Sequence, residues 1–142
     1  MKQKLVMLSM LLCASTLVMA QDITGKWRTF DGKTKQPQSI VQISKSGGGY
    51  TGKIVALEKG VSATCETCAK QFKGKPLVGT VILTGLKDAK TNEYEGGNIT
   101  NPKNGKTYKA SAQLLNNGNT LNVRGYIGVS VLGETQTWQR VQ

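Results

Sequence analysis

Residues 108–127 read YKASAQLLNNGNTLNVRGYI, and the pattern of this stretch decides the fold class. Its first half alternates apolar and polar side chains, which places on one face Tyr108, Ala110, Ala112 and Leu114. Alternation with a period of two is typical of a β-strand with one dry face. It resumes after Asn117-Gly118 with Leu121, Val123, Gly125 and Ile127 on one face. Because Asn-Gly tolerates the positive φ angles of a type I′ turn, the stretch predicts a β-hairpin.

The same alternation extends over the rest of the chain and is interrupted by turn residues. Asp31-Gly32, Gly47-Gly48-Gly49 and Asn104-Gly105 separate the runs, and Asn104-Gly105 is a second predicted type I′ turn. No segment after residue 20 has a sustained helical repeat. We predict eight strands, at 24–31, 38–46, 49–58, 76–87, 93–100, 106–115, 119–128 and 133–141, with one long connection at 59–75.

Short sequential hairpins favour an all-β, eight-stranded antiparallel up-and-down barrel over a two-layer sandwich, because closure removes exposed strand edges. The interior of such a barrel is just wide enough to be filled by side chains or to hold one small ligand. Several glycines lie in or beside the strands, namely Gly52, Gly79, Gly96, Gly97, Gly125 and Gly128. They are interpreted either as bends that let the barrel close or as positions that leave room for a ligand.

The first twenty residues resemble a cleaved secretory signal peptide. Lys2 and Lys4 precede the apolar run Leu5–Leu12, and Val18-Met19-Ala20 provides a cleavage site. The run is too short for a membrane-spanning helix, and a lipoprotein signal at Cys13 is disfavoured by the two leucines before it. We therefore expect a signal peptide at 1–20, a single barrel domain at 21–142 and a periplasmic or secreted location, with no membrane span.

The chain contains no histidine, and this absence limits its chemistry. It excludes Ser-His-Asp and Cys-His catalysis and every histidine-ligated metal site. We predict no catalytic residues, no metal and no cofactor. The remaining enzymatic hypothesis uses Glu58, Glu93 or Glu95 together with Tyr94 or a lysine, and no spacing singles out a pair.

Two cysteines remain after the predicted cleavage, Cys65 and Cys68, and their spacing permits three interpretations. An even cysteine count in an exported chain favours a structural disulfide. A redox centre is the second interpretation, because Lys59, Lys70 and Lys73 would lower the thiol pKa. A zinc site is the weakest, since it needs four ligands and the chain offers two cysteines and no histidine.

The two tryptophans lie at opposite ends of the predicted barrel sequence. Gly25-Lys26-Trp27 starts the first strand and Trp138-Gln139-Arg140 ends the last. In a closed barrel these strands pair, so we expect Arg140 to lie over Trp27 and seal the barrel. A Gly-x-Trp entry with an arginine on the closing strand resembles the signature of the lipocalin superfamily.

Longer motifs resemble a more specific family. In order they are Ser39-Ile40-Val41, Gly52-Lys53-Ile54-Val55, Cys65-x-x-Cys68, Lys75-Pro76-Leu77-Val78-Gly79, residues 101–108 (NPKNGKTY), residues 123–133 (VRGYIGVSVLG) and Thr137-Trp138-Gln139-Arg140. Together they are similar to the secreted bacterial domain of unknown function DUF2147. The resemblance implies an exported, lipocalin-like barrel, and it implies no established activity.

The basic charge indicates what kind of partner the chain would attract. Without Lys2 and Lys4 the formal charge is +9 instead of +11, and lysines outnumber arginines. Lysine is typical of a solvated surface or an anionic surface partner, whereas arginine and interleaved aromatics dominate nucleic-acid recognition, so nucleic acid is not favoured.

We therefore expect a binding protein for a small apolar or amphiphilic, or an anionic, ligand held in the barrel. The expected contacts are Tyr108, Arg124, Tyr126 and Trp138. Strand parity directs Arg124 outward unless a bulge at Gly125 reverses it. The alternative is an envelope structural or interaction protein that uses its basic surface and the 59–75 loop. No pattern indicates an oligomeric state.

Overall fold

A computed structural model of the protein describes residues 21–128 and 133–142. The predicted signal peptide at 1–20 lies outside these residues. Eight strands follow one another along the chain: β1 Gly25–Phe30, β2 Pro37–Ser46, β3 Gly49–Leu57, β4 Val81–Lys90, β5 Glu93–Thr100, β6 Thr107–Leu115, β7 Thr120–Tyr126 and β8 Glu134–Val141. A single 3₁₀ turn, Asn116–Gly118, lies between β6 and β7.

The strands form a closed antiparallel barrel in sequence order, with β1 paired to β8. The predicted eight-stranded up-and-down barrel is confirmed. One end of the barrel carries residues 31–36, 58–80 and 101–106, together with residues 127–128 after β7 and 133 before β8, and we call it the loop end. The turns at 47–48, 91–92 and 116–119 lie at the other end together with residues 21–24, and we call it the closed end.

The fourth strand begins later than the sequence predicts, at Val81 instead of residue 76. Gly79 has φ +97, and the Thr80 N–H donates to the Leu77 carbonyl at 3.1 Å, which forms a turn. The apolar pair Leu77-Val78 therefore belongs to the long connection. That connection covers 58–80 instead of 59–75, and the fourth strand extends to Lys90.

Of the two predicted Asn-Gly turns, the one at Asn117-Gly118 has the expected backbone. The Asn119 N–H donates to the Asn116 carbonyl at 3.1 Å, and the two central residues, Asn117 at φ 54 and Gly118 at φ 86, both have the positive φ of a type I′ turn. At Asn104-Gly105 only the glycine has positive φ, because the loop contains six residues and is closed by Asn101 N–H to Lys106 O at 2.9 Å. The prediction of a type I′ turn is therefore wrong for Asn104-Gly105 alone.

The inward side chains of the strands form one apolar core, and most of its members alternate with exposed polar residues as the sequence indicates. Its fifteen buried members are Ile23, Trp27, Val41, Ile43, Tyr50, Ile54, Leu83, Leu86, Tyr94, Ala110, Ala112, Leu114, Leu121, Val123 and Trp138. Among the described residues, no helix has the length and apolar character needed to cross a membrane.

Candidate functional site

Arg140 seals the closed end of the barrel. Its guanidinium carbon lies 4.4 Å from the centre of the Trp27 ring, as the sequence predicts for strands that pair. Its three nitrogens donate to the carbonyls of Asp22, Thr24 and Gly118, each at 2.7 Å. One side chain thus ties together the segment before β1, the β6–β7 turn and the last strand. An arginine is required here because its planar fork presents several donors in fixed directions.

Two tyrosines complete the packing above this seal. The Tyr50 and Tyr94 rings meet edge to face with centroids 5.4 Å apart. The Tyr50 hydroxyl donates to Asp88 at 3.4 Å. Burial, with the nearby Asp22 and Asp88 carboxylates, raises the pKa of Tyr50 to about 12, and burial also raises the pKa of Tyr94. Ionising either phenol therefore opposes the folded state.

The deep lumen is filled by protein. Trp27, Leu83 and Leu121 have no accessible surface, and Trp138 is only 1% exposed. A side chain that borders a cavity large enough for water would expose surface to that cavity. The lumen around these side chains is therefore packed at the density of a protein interior, and it does not hold a ligand.

The inward glycines do not leave empty volume at this depth. A Cβ atom at Gly97 would lie 2.8 Å from the Leu86 side chain, and one at Gly52 would lie 3.0 Å from Leu83. These positions are glycines because large neighbours already occupy the space in front of them. The β3–β4 register shifts on both sides of Gly52, and the β5–β6 register shifts between Tyr94 and Gly97. The two glycines thus lie at irregularities of the ladder, as the bend interpretation predicts, and they accommodate neighbouring side chains without leaving space for a ligand.

The lumen opens above Trp138. Gln136 lies across from the buried Val123 in the β7–β8 register, so both side chains face inward. The Trp138 indole N–H donates to the Gln136 side-chain oxygen at 3.3 Å, which confirms that Gln136 is above the core. Yet Gln136 is exposed, as is Glu134 one step nearer the loop end. We call this accessible upper part of the lumen the mouth.

An overhang of β8 explains why the mouth is accessible. In the described part of the barrel, β1 and β8 pair over Lys26–Arg28 and Gln139–Val141. The first strand ends at Phe30, whereas β8 continues toward the loop end as far as Glu134. Among residues 21–128 and 133–142, the upper half of β8 therefore has no partner strand on the β1 side, and Gln136 is exposed to solvent.

The wall of the mouth opposite this opening is apolar. Ile99 and Tyr108 are half-buried, and a Cβ atom at Gly125 would lie 3.3 and 3.6 Å from them. The Tyr108 hydroxyl accepts a hydrogen bond from the Asn104 side chain at 3.0 Å. Half-buried Leu57 and Ile82 pack against the core. The mouth thus combines apolar walls with a few polar groups, which is the general composition of small-ligand sites.

The four sequence-predicted ligand contacts are not gathered in one place. Tyr108 lies at the mouth, and Trp138 lies beneath it, covered by Gln136. The β6–β7 register continues without a shift through Gly125, so no bulge turns the outward residues inward. Arg124 lies across from Thr135 on the outer wall and donates to its hydroxyl at 2.8 Å, and Tyr126 lies across from Lys109. The sequence analysis did not name Gln136 and Glu134 as site residues. Their spacing of two and four residues from Trp138 places all three on the same face of the strand, and this signal could have identified them.

The long connection is fixed against the barrel end. Cys65 and Cys68 form a disulfide, and Cys68 is buried. The Ala69 N–H donates to the Pro102 carbonyl at 3.2 Å, and the Gln71 side chain donates to the Gly105 carbonyl at 3.2 Å. Among the described residues no cluster of three or more cysteine, aspartate or glutamate side chains is placed to bind a metal.

An ion pair that the sequence analysis missed links two hairpins across the loop end. Lys103 donates to Asp31 at 2.8 Å, and the other carboxylate oxygen accepts the backbone N–H groups of Lys33 and Thr34. Lys103 and these N–H groups hold the pKa of Asp31 well below its usual range. The turn at Asp31 can be predicted from the sequence, because an aspartate often accepts hydrogen bonds from the backbone of the following turn. Its ion pair with Lys103 cannot be predicted in this way, because Lys103 is 72 positions away in the chain.

Two depressions lie on the outer surface of the described part. One, of about 220 Å³, crosses β5 to β8 between Glu93, Glu95 and Arg124. The other, of about 420 Å³, lies beside Glu58, which pairs with Arg28 at 2.6 Å. The three glutamates of the enzymatic hypothesis are therefore divided between separate surface sites, and that hypothesis stays a prediction.

Comparison with known proteins places this architecture in a family. The family model described as "Uncharacterized protein conserved in bacteria (DUF2147)" matches residues 25–140, from the start of β1 to the sealing arginine. The chain belongs to the DUF2147 family. No match was found among curated proteins.

A solved structure shares the fold of this DUF2147 protein. It is protein HP1028 of Helicobacter pylori, described as belonging to the lipocalin family, with 22% sequence identity and a TM-score of 0.73. The match covers 85% of this chain and 84% of the other. The DUF2147 barrel is therefore lipocalin-like.

Proposed function

We propose that this DUF2147 protein is a secreted or periplasmic binding protein that holds one small apolar or amphiphilic ligand at the mouth of its barrel. The observation that carries the proposal is the exposed, inward-facing Gln136 above the buried Trp138. It marks the height at which the packed core ends and an accessible site begins. Lipocalin-like barrels of eight strands have room for one small ligand at most.

The composition of the mouth favours an amphiphile. Ile99 and the Tyr108 ring offer apolar contact, whereas Gln136, Glu134 and the Tyr108 hydroxyl offer hydrogen bonds near the solvent. A ligand with an apolar body and a polar end would bury the first part and leave the second at the opening. The predicted contacts Tyr108 and Trp138 fit this site, Trp138 as its covered floor.

The test is to fill the mouth without changing the core. Gly125→Leu places a side chain between Ile99 and Tyr108, and Gly48→Leu, at a position with nothing within 4 Å, is the matched control. We expect native mass spectrometry of protein isolated from cells to show one bound small molecule. We expect cis-parinaric acid, used as a probe, to bind the parent and the control alike and Gly125→Leu at least about ten-fold more weakly.

Two results would contradict the proposal. One is a parent protein that carries no small molecule and does not bind the probe. The other is a folded Gly125→Leu variant with unchanged probe affinity, which would place the ligand elsewhere. Gln136→Ala, at an exposed position, provides a second variant if Gly125→Leu does not fold.

A second candidate is an envelope interaction protein that acts through its basic surface and the long connection. The specific observation in its favour is that the connection is held rigidly by its disulfide and its hydrogen bonds to the β5–β6 loop. A surface held in one conformation loses less entropy when a partner binds.

A further inference from the structure

The charge of the barrel is concentrated at one end. The connections 31–36, 58–80 and 101–106 contain eight lysines against three carboxylates, Asp31, Glu58 and Glu66. All eight are exposed: Lys33, Lys35, Lys59, Lys70, Lys73, Lys75, Lys103 and Lys106. Among the described residues, Lys103 is the only one of these eight with a carboxylate oxygen within 4.0 Å. We call these eight residues the lysine rim.

The connections at the closed end carry little charge. Among residues 21–24, 47–48, 91–92, 116–119 and 142, the only charged side chain is Asp22. The intervening strands of six to ten residues place the two ends more than about 15 Å apart at roughly 3.3 Å per residue. This distance exceeds the screening length of about 8 Å at physiological salt, so a charged partner near one end experiences that end alone.

Exposed apolar side chains lie at the same end as the lysines. The exposed large hydrophobic residues among those described are Val78 at 48%, Val81 at 45% and Ile127 at 68%. Val78 and Val81 flank the junction of the long connection with β4, and Ile127 follows β7, so all three are at the loop end. Lysines together with exposed aliphatic residues at one end of a protein are typical of surfaces that lie on anionic membranes.

We propose that the loop end docks on an anionic phospholipid surface, with the lysine rim against the headgroups and Val78 and Ile127 in contact with the interface. Complementary charge favours this occupant, and the exposed apolar residues at the same end favour it over a purely ionic polymer. Nucleic acid fits less well, because the connections that carry the lysine rim contain no arginine and the exposed hydrophobic residues are aliphatic.

Docking in this orientation turns the mouth toward the membrane. The exposed Gln136 and Glu134 open at the same end as the rim, so an amphiphile could pass between the lipid and the barrel without crossing water. The inference rests on the second candidate function and specifies its partner. It does not require ligand binding, which is measured in solution without vesicles.

The experiment is vesicle flotation of protein isolated from cells, whose N-terminus is verified by mass spectrometry. Mixed phosphatidylcholine–phosphatidylglycerol vesicles are compared with pure phosphatidylcholine vesicles. The rim variant combines Lys70→Glu, Lys73→Glu and Lys75→Glu. The matched control makes the same charge change at exposed positions on the barrel wall, Lys26→Glu, Lys53→Glu and Lys87→Glu.

We expect the parent to bind the anionic vesicles, with binding that weakens as salt is raised, and not the neutral ones. The rim variant should partition at least about a hundred-fold more weakly, and the wall control within a few-fold of the parent. Ile127→Ser should reduce partitioning about ten-fold without changing the charge.

Three results would overturn the proposal. The first is a parent that does not bind anionic vesicles. The second is an equal loss in the rim and wall variants, which would show attraction to net charge without an oriented surface. The third is rim-dependent binding to heparin or DNA in the absence of vesicle binding, which would assign the rim to a polyanion and leave the ligand proposal unaffected.

Discussion

The two ends of this barrel are built from the same eight strands, yet one end is sealed by side chains and the other is accessible to solvent. At the closed end, Arg140 satisfies three backbone carbonyls and covers the Trp27 ring, so side chains take the place of solvent. At the loop end, the packed core stops below Gln136, which faces inward and remains exposed. The comparison shows that the packed core and the accessible mouth lie at different heights of one barrel.

The physical reason is where each buried polar group finds a partner. Below Trp138 the buried strand positions are apolar or aromatic, and the Arg140 guanidinium is satisfied by backbone carbonyls. At the loop end side chains also bond to one another near the solvent, as in the Asp31–Lys103 pair and the Asn104–Tyr108 hydrogen bond. Such contacts tolerate solvent, and this end can therefore open and carry charge.

The largest expected effect is the loss of the seal. Arg140→Met leaves three carbonyls without their charged donor and removes the contact with Trp27. Hydrogen bonds to charged groups contribute about 1.5–3 kcal/mol each and are not additive, so we expect a loss of about 3 kcal/mol or more. The free energy of unfolding is measured by urea titration.

The matched change at the loop end is Arg28→Met. Arg28 pairs with Glu58 at 2.6 Å, but its side chain is 39% exposed, so we expect a loss below about 1 kcal/mol. Equal losses for the two arginine variants would contradict the division of the barrel into a sealed end and a tolerant end.

The next effect compares two inward glycines. At Gly97 an added methyl group would lie 2.8 Å from Leu86, whereas at Gly125 it would lie 3.3 Å from the half-buried Ile99. Gly97→Ala should lower the free energy of unfolding by about 1–3 kcal/mol, because a filled core does not accept extra volume. Gly125→Ala should change it by less than about 1 kcal/mol. A reversed order in urea titrations would refute the packed-core and open-mouth assignment.

Much of this division was predictable, and the reason lies in periodicity. Alternation specified the strands, and the positions of Trp27 and Arg140 at the chain ends of the barrel predicted their contact, because first and last strands must pair. Parity also directed Arg124 outward. These inferences use only local patterns and the order of the strands, and both can be obtained from the sequence alone.

What escaped prediction depends on distances between strands. Gly97 and Gly125 are the same residue type, but the space in front of Gly97 is filled by Leu86, whereas the space in front of Gly125 is bordered by the half-buried Ile99. This difference depends on residues of neighbouring strands and cannot be read from either glycine. The exposure of Gln136 depends on β1 ending before β8 does. The late start of β4 resulted from a turn at Gly79 inside an apolar run, where apolar character alone favoured a strand.

The smallest effect is a pH dependence at the closed end. Burial raises the pKa of Tyr50 to about 12, above the value near 10 of an unfolded chain. Between these values the unfolded state releases the proton and the folded state keeps it, so the stability contributed by the neutral phenol is complete below pH 10 and is lost as pH rises above it. The loss is about 1–2 kcal/mol at the top of this range.

Tyr50→Phe isolates the contribution of this one phenol to the pH dependence of stability. At neutral pH the variant loses one long hydrogen bond to Asp88, at 3.4 Å, and we expect it to be less stable than the parent by under about 1 kcal/mol. Above pH 10 the parent should lose stability more steeply, so the two curves converge or cross. Tyr126→Phe on the outer wall is the control and should follow the parent in parallel. If the Tyr50→Phe curve also stayed parallel to the parent between pH 9 and 12, the phenol would titrate as it does in water, and the closed end would not be sealed at the height of Tyr50.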